Sequence, residues 1–247
     1  MQVRLPSSEA RNSALLETNR KFYNRLWSDA QLVEPQRFNT WPLVSSLLPD
    51  HPRRLEVAPG LRPRLPIAGT QFVDISAPAL NKLAALGGHT TLAPIYRLPF
   101  ADRAFDLVCS LDIIEHVEED EEAMSELARV AAPGAVLLIS MPLHPSLWTP
   151  FDDFVGHHRR YEPEAIVALL GRHGFSIQRS AMFGMKPRSS RLVDIGMWAL
   201  QHQRRQAMWW YNKVMPFSVR FQKPLLCHDG LMDTSEVGDL FLVCKRQ

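Results

Sequence analysis

The sequence predicts an α/β fold, a mostly parallel sheet with helices on both faces. Short β-rich runs, "RLEVA", "TQFVDI", "FDLVCS" and "AVLLISM", alternate with helical runs such as "APALNKLAAL" and "EPEAIVALLGRHG", which is typical of parallel strands joined by crossover helices. The strand runs are continuously apolar, which indicates that both sheet faces are covered. With 247 residues and 46% hydrophobic content, the chain can bury a core of this size.

Three segments follow from the pattern along the chain. Residues 1–48 are predicted to form a helical N-terminal cover, because "SALLETNRKFYNRLW" repeats apolar residues at helical spacing. The core is predicted to span residues 49–183, completed by a last strand in residues 238–247 ("GDLFLVCKR"). The intervening residues 184–237 are rich in Met, Trp and Arg and too long for a plain loop, so we expect a cap inserted before the last strand.

Composition excludes several protein classes. A formal net charge of +2 makes nucleic acid an unlikely partner, since nucleic-acid-binding domains carry a stronger basic excess. The three cysteines are far apart in sequence and two lie in apolar runs, as expected of reduced core residues. No apolar run has the length of a membrane span or a signal peptide, so we expect a cytoplasmic protein. The sequence does not set an oligomeric state.

The turn after the first strand, "LEVAPGLRPRLPIAG", carries a single early glycine, Gly60. Pyrophosphate-binding turns use several glycines and a helix N-terminus, whereas Pro63 and Pro66 prevent a regular helix here. A ligand with an amino-acid end needs only close approach at one glycine and an acid, Glu56, that can reach its ammonium group. Asp74, at the end of the second strand, can accept hydrogen bonds from two ribose hydroxyls. These residues predict a nucleoside attached to an amino acid.

The series "LEVAPG", "FVDIS" and "LPFADRAFDLVCSLDIIEHVEEDEEAMSELARVAAPGAVLLISMP" resembles the motif set of class I S-adenosylmethionine-dependent methyltransferases, over about residues 53–182. The resemblance implies a Rossmann-like sheet of seven strands with an antiparallel last strand, S-adenosyl-L-methionine as cofactor and S-adenosyl-L-homocysteine as product. Two positions depart from the family pattern: only Gly60 remains of the motif glycines, and Pro94 stands where an acid commonly holds the adenine amino group. The implied cofactor contacts are Glu56, Ala58, Pro59 and Gly60 at the methionine end, Asp74 and Ile75 at the ribose and adenine, and Ser110 and Leu111 beside the sulfonium.

The loop "MPLHPSLWTPFDDFVGHHRRYEPEAI" follows the fifth strand and should border the transferred methyl group, because ligands bind at the carboxyl ends of parallel strands. A histidine there can take a proton near neutral pH, and an arginine can bind an acid bidentately. The candidate catalytic residues are His144, His157 and His116; the candidate substrate contacts are Tyr23, Trp27, Trp148, Arg160 and Tyr161.

Alternative interpretations exist for the same residues. "GHHRRY" can fasten the loop to the fold, with Arg159 or Arg160 paired to the acids at 152–153, and His116 can be a packing residue at the rim of the site. The spacing of His, Cys and carboxylate residues suggests no metal site.

The insertion mixes basic and aromatic residues between positions 186 and 223. Such a mixture suits a membrane interface, RNA, or a lid over a small molecule.

Together with the resemblance to methyltransferases, the sequence predicts methyl transfer to an oxygen, nitrogen or carbon of a small or lipid-like metabolite. The alternative is a non-catalytic or peripheral membrane-binding protein that uses residues 186–223.

Overall fold

A computed structural model describes residues 8–184 and 190–247. Eight strands form its single sheet: β1 Arg54–Val57, β2 Thr70–Asp74, β3 His89–Leu92, β4 Phe105–Leu111, β5 Ala131–Pro142, β6 Phe175–Met182, β7 His228–Asp229 and β8 Asp239–Arg246. Their order across the sheet is β3-β2-β1-β4-β5-β8-β6-β7. The parallel strands β3, β2, β1, β4 and β5 are neighbours, so their carboxyl ends share one edge.

The last strand confirms one prediction and the strand number corrects another. β8 runs antiparallel to both β5 and β6, as expected. The sheet has eight strands rather than seven, because the two-residue β7 pairs with β6 through Arg179 opposite Asp229 and Ser180 opposite His228. β7 lies within the insertion and has no apolar pattern, so nothing in the sequence distinguishes it from a loop.

Eight α-helices occur in the described part of the chain: α1 Ser8–Asp29, α2 Trp41–Leu47, α3 Ala77–Ala84, α4 Asp120–Val130, α5 Pro150–Val155, α6 Pro163–Arg172, α7 Ser190–His202 and α8 Arg204–Ser218. Buried residues of α4 and α6 pack on one side of the sheet, and α2 packs on the other, so helices cover both faces as predicted. No helix connects β1 to β2, which agrees with the prolines in that segment.

The N-terminal helix and the insertion pack against each other. Arg204 at the start of α8 pairs with Asp29 at the end of α1, at 3.1 Å. The Asn212 side chain accepts a hydrogen bond from the Gln31 backbone amide and donates one to the Asp29 carbonyl, both at 2.8 Å. Met208 is buried with Trp27. The two segments thus form one cover over the sheet edge.

Parts of the predicted segments lie outside the described residues: 1–7 of the N-terminal cover, and 185–189 of the insertion, with Lys186 and Arg188. All three cysteines are free thiols, and Cys109 and Cys244 are buried, as expected of core residues. Among the described helices, none combines the length and the apolar content that a bilayer crossing requires.

Candidate active site

A cavity of about 550 Å³ lies at the carboxyl ends of β1, β2 and β4. Its floor includes the residues at which these strands end, Val57, Asp74 and Leu111. Helices α1 and α7 close it from above, with side chains such as Tyr23 and Met197. This is the ligand position expected for an open parallel sheet.

Glu56 stands in the middle of β1, opposite Phe72 of β2 and Cys109 of β4. Its two carboxylate oxygens accept hydrogen bonds from the backbone amides of Arg64 and Leu65, at 2.8 and 2.9 Å. Burial raises the pKa of Glu56 to about 7, against the opposing effect of these hydrogen bonds. The side chain therefore shapes the loop after β1 and also lines the cavity, where an ammonium group would favour its ionised form.

Asp74 ends β2 and organises the same turn. Its carboxylate accepts hydrogen bonds from the backbone amides of Gly60, at 3.0 Å, and Ser76, at 2.8 Å. Burial raises the pKa of Asp74 to about 6. Each carboxylate oxygen has a second lone pair, and the residue lines the cavity, so it can also accept hydrogen bonds from a ligand.

Gly60 needs to be glycine for two reasons. Its φ is +54°, a left-handed conformation that side chains disfavour, and a Cβ there would lie 2.3 Å from Cζ2 of Trp27. The indole of Trp27 therefore lies directly on the turn, with no helix between β1 and β2. Trp27, Ala58 and Pro59 line the cavity, while Gly60 contributes through its hydrogen bond to Asp74.

Two arginines that the sequence analysis did not select line the same end of the cavity, Arg62 and Arg64. The Arg62 guanidinium lies 5.1 Å from the Tyr211 ring centre and 5.8 Å from that of Trp27, and burial lowers its pKa to about 10. Arg64 stacks on Phe38 at 3.6 Å. One half-buried and one buried cation beside buried carboxylates match a carboxylate and an ammonium group on one ligand. The sequence feature that could have identified them is the presence of two arginines in the otherwise apolar segment "GLRPRLP".

The next part of the cavity is apolar. Ile75 lines it together with Ala93, Pro94 and Tyr96. Pro94, which replaces the family's usual acid, thus offers a flat apolar contact instead of a hydrogen-bond acceptor. Leu111 also lines the cavity, whereas Ser110 is buried in β4.

The far end of the cavity holds His116, His157 and Tyr23. His116 Nδ1 donates to the Gly156 carbonyl at 3.1 Å, since a carbonyl can only accept, and its Nε2 lies 3.4 Å from the Tyr23 hydroxyl. Burial, then the neighbouring His157, lowers the pKa of His116 to about 3. His116 is therefore a neutral imidazole at physiological pH. Burial raises the pKa of Tyr23, which keeps the phenol protonated.

Four predicted residues of the 144–161 loop do not line the cavity. His144 has a φ of +59°, and its Nε2 lies 2.8 Å from the Thr234 carbonyl. Trp148 donates to Asp153 at 3.1 Å. The Tyr161 hydroxyl donates to Asp120 at 3.0 Å. These contacts place His144, Trp148 and Tyr161 outside the cavity, with Tyr161 buried in the core of the fold.

The fourth, Arg160, forms the loop's buried ion pair. Its guanidinium donates to both carboxylate oxygens of Asp152 at 3.0 Å. Asp152 also accepts from His157 Nδ1 at 2.8 Å, and Arg159 pairs with Asp120 instead. The alternative interpretation, in which "GHHRRY" fastens the loop to the fold, holds for the arginines, while His157 alone of this motif reaches the cavity.

Comparisons with known proteins show similarity to methyltransferases in sequence and in fold. Residues 65–139 match the family model "Methyltransferase domain". The norajmaline N-methyltransferase of Rauvolfia serpentina is 46% identical over 50 residues, 20% of this chain and 17% of that protein. An S-adenosylmethionine-dependent methyltransferase of Thermotoga maritima superposes with a TM-score of 0.57 at 15% identity, covering 84% of this chain and 87% of that one.

The fold also supports another chemistry. The [4+2]-cyclase SpnF superposes with a TM-score of 0.52 at 16% identity, covering 83% of this chain and 80% of that one. The match thus spans a small part of the norajmaline N-methyltransferase, 17% of its length, and most of each solved structure, 87% and 80%. Residues 65–139 are thus similar to a methyltransferase domain, and the fold is the Rossmann-like fold of S-adenosylmethionine-dependent methyltransferases.

Proposed function

We propose that the protein transfers a methyl group from S-adenosylmethionine to an oxygen, nitrogen or carbon of a small or lipid-like metabolite. The observation that carries the proposal is the cofactor end of the cavity. Asp74 can bind the ribose hydroxyls, Glu56 can face the ammonium group, and the half-buried Arg62 can pair with the carboxylate. Each group of the cofactor's amino-acid and ribose parts has a complementary partner.

The transfer itself is an in-line displacement. Bound S-adenosylmethionine would supply an electrophilic methyl group: the acceptor lone pair would form the new bond as the C–S bond breaks, the C–S electrons would remain on sulfur in S-adenosylhomocysteine, and an O–H or N–H acceptor would release its proton to water. Alignment of the two reactants supplies most of the rate. Neutral His116 and the protonated Tyr23 can orient a polar acceptor group by hydrogen bonds, and α1 and α7 exclude water from the reacting methyl.

The acceptor wall of the cavity is largely apolar and aromatic. It includes Phe22 and Leu26 of α1, Phe154 of α5, and Met197 and Leu200 of α7. An enclosed apolar wall with few polar groups is the usual lining of a small-molecule site. This supports a small or lipid-like acceptor.

The test is isothermal titration of the protein with S-adenosylmethionine and S-adenosylhomocysteine. We expect micromolar binding, reduced at least about 100-fold by Asp74→Ala, because a buried charged acceptor is lost. Asp229→Ala, in the exposed edge strand β7, is the matched control and should bind normally. Absence of binding to the wild-type protein would instead favour a non-catalytic binding protein on this fold.

A second proposal concerns the outer surface of the cap, which we propose contacts an anionic lipid bilayer. Large apolar side chains there are more than half exposed: Leu192, Ile195, Trp198, Trp209, Trp210, Phe217, Phe221 and Leu226. Exposed Arg191, Arg205, Lys213 and Lys223 lie among them. Aromatic rings at headgroup level with neighbouring cations are typical of peripheral membrane surfaces. Leu192 also lines the cavity, so a lipid-like acceptor could enter from this surface.

Vesicle flotation tests this surface. We expect the protein to float with vesicles containing phosphatidylglycerol, and to lose flotation after Trp209→Ser with Trp210→Ser. Leu86→Ser, at an equally exposed apolar residue outside the cap, is the control. Flotation that survives the double tryptophan substitution, or no flotation of the wild type, would overturn the membrane proposal and leave methyl transfer unaffected.

A further inference from the structure

Three ligand-type side chains converge at the acceptor end of the cavity. One atom each of Glu115, His116 and His157 lies within 4.8 Å of the others. Nε2 of His157 is 3.7 Å from Oε1 of Glu115, and the two imidazole ring centres are 4.7 Å apart. The Glu115 residue is fully buried, and the His157 side chain is 7% exposed. The chain brings these residues together from two segments about forty positions apart, which explains why their sequence spacing predicts no metal site.

Both histidines are oriented by hydrogen bonds on the opposite ring nitrogen. His157 Nδ1 donates to Asp152 at 2.8 Å, and His116 Nδ1 donates to the Gly156 carbonyl at 3.1 Å. Each Nε2 is therefore a lone-pair acceptor. Metal-ligating histidines are held in this way, with the second N–H bound to a carboxylate or a backbone carbonyl. Asp152 is itself fixed by Arg160, so the His157 ring has a rigid support.

The distances suit a metal ion after a small adjustment. Tetrahedral bonds of about 2 Å place ligand atoms about 3.3 Å apart, and the His157–Glu115 separation is 3.7 Å. Within the described residues, the hydrogen-bond contact of His116 Nε2 is with the Tyr23 hydroxyl, at a long 3.4 Å, and that hydroxyl has an alternative acceptor in the Val155 carbonyl at 3.5 Å. Turning the Tyr23 hydroxyl to Val155 leaves the nitrogen available.

We propose that Glu115, His116 and His157 bind one divalent transition-metal ion, of the zinc, cobalt or iron(II) type. Two imidazoles with one carboxylate favour such ions over magnesium or calcium, which prefer oxygen ligands. Three protein ligands leave at least one coordination position open to the cavity. An oxygen nucleophile bound there would lose its proton more readily, a consequence that rests on the proposed methyl transfer.

The experiment is direct titration of the metal-free protein with Zn²⁺, and with Co²⁺ followed by visible absorption, both without S-adenosylmethionine. We expect one ion per chain. His116→Asn and His157→Asn should each weaken binding at least about 100-fold. Asparagine places an amide N–H near the position of Nδ1, so the bond to Gly156 or Asp152 can persist while Nε2 is removed.

His173→Asn is the matched control, because His173 forms an exposed pair with Glu121 at 2.7 Å that lacks a third ligand. Unchanged binding in this variant supports the site. No stoichiometric binding to the wild type, or binding that persists in both cavity variants, would overturn it. Thermal unfolding with and without Zn²⁺ separates loss of the ligand from loss of the fold: only the wild type and the control should gain stability from the ion. Failure of this proposal leaves cofactor binding, measured without metal, intact.

Discussion

The two ends of the cavity are built differently. At the cofactor end, Glu56 and Asp74 accept hydrogen bonds from backbone amides between 2 and 14 positions away. At the acceptor end, side chains from distant segments meet: Tyr23 with His116, 93 positions apart, and His116 with Gly156, 40 positions apart. The two carboxylates of the cofactor end are thus held by a local motif, whereas the acceptor end exists only in the complete fold.

The largest expected effect tests the acceptor end. Asp152→Ala removes the partner of both Arg160 and His157, leaving a buried guanidinium without its carboxylate. Loss of one member of a buried ion pair costs about 3–5 kcal/mol, so we expect the free energy of unfolding in urea to fall by that amount. Asp153→Ala, at the exposed neighbouring residue, should change it by less than about 0.5 kcal/mol. Similar small effects in both variants would mean that this end does not depend on the buried pair.

A smaller effect, dependent on pH, tests the cofactor end. Glu56 has a pKa raised to about 7 and Asp74 one raised to about 6. The folded protein therefore binds protons more tightly than the unfolded chain, and stability is present at low pH and lost as pH rises through these values. For Glu56 the loss is at most about 3 kcal/mol, by the conversion of 1.36 kcal/mol per unit.

The measurement is the free energy of unfolding between about pH 5 and pH 8, for the wild type and for Glu56→Gln. Glutamine cannot ionise, so the variant should show a shallower decline, even though one backbone amide loses its acceptor. An unchanged slope would show that Glu56 does not titrate in this range.

The smallest effect concerns the contact between Gly60 and Trp27. Gly60→Ala places a side chain at a φ of +54° and against the indole, and we expect a loss of about 2 kcal/mol, of which the left-handed conformation accounts for about 1. In a Trp27→Ala background the steric part should disappear. A double-mutant cycle measures this coupling; equal costs in both backgrounds would contradict the packing of α1 on the turn.

Local patterns predicted the fold well, and two of the residues they selected, Glu56 and Asp74, line the cavity. The alternation of strand and helix runs gave the sheet, and the prolines after Gly60 indicated the missing helix. The edge strand β7 has no apolar pattern. His144 lies outside the cavity with a positive φ, and its residue type does not predict that backbone angle. The contribution of Met197 from the cap depends on which face of α7 packs inward, and α7 has apolar residues on both faces.

The hydrogen bonds between the end of α1 and helix α8 have a consequence for synthesis on the ribosome. Asp29 and Gln31 bind Arg204 and Asn212, partners 175 to 183 positions later in the chain. Until those residues emerge, the part of α1 that packs against α8 is exposed to solvent. Exposed apolar surface of this kind recruits chaperones and promotes aggregation. A product that stalls before α8 would therefore be a target for quality control, and it would also lack β8, the strand between β5 and β6.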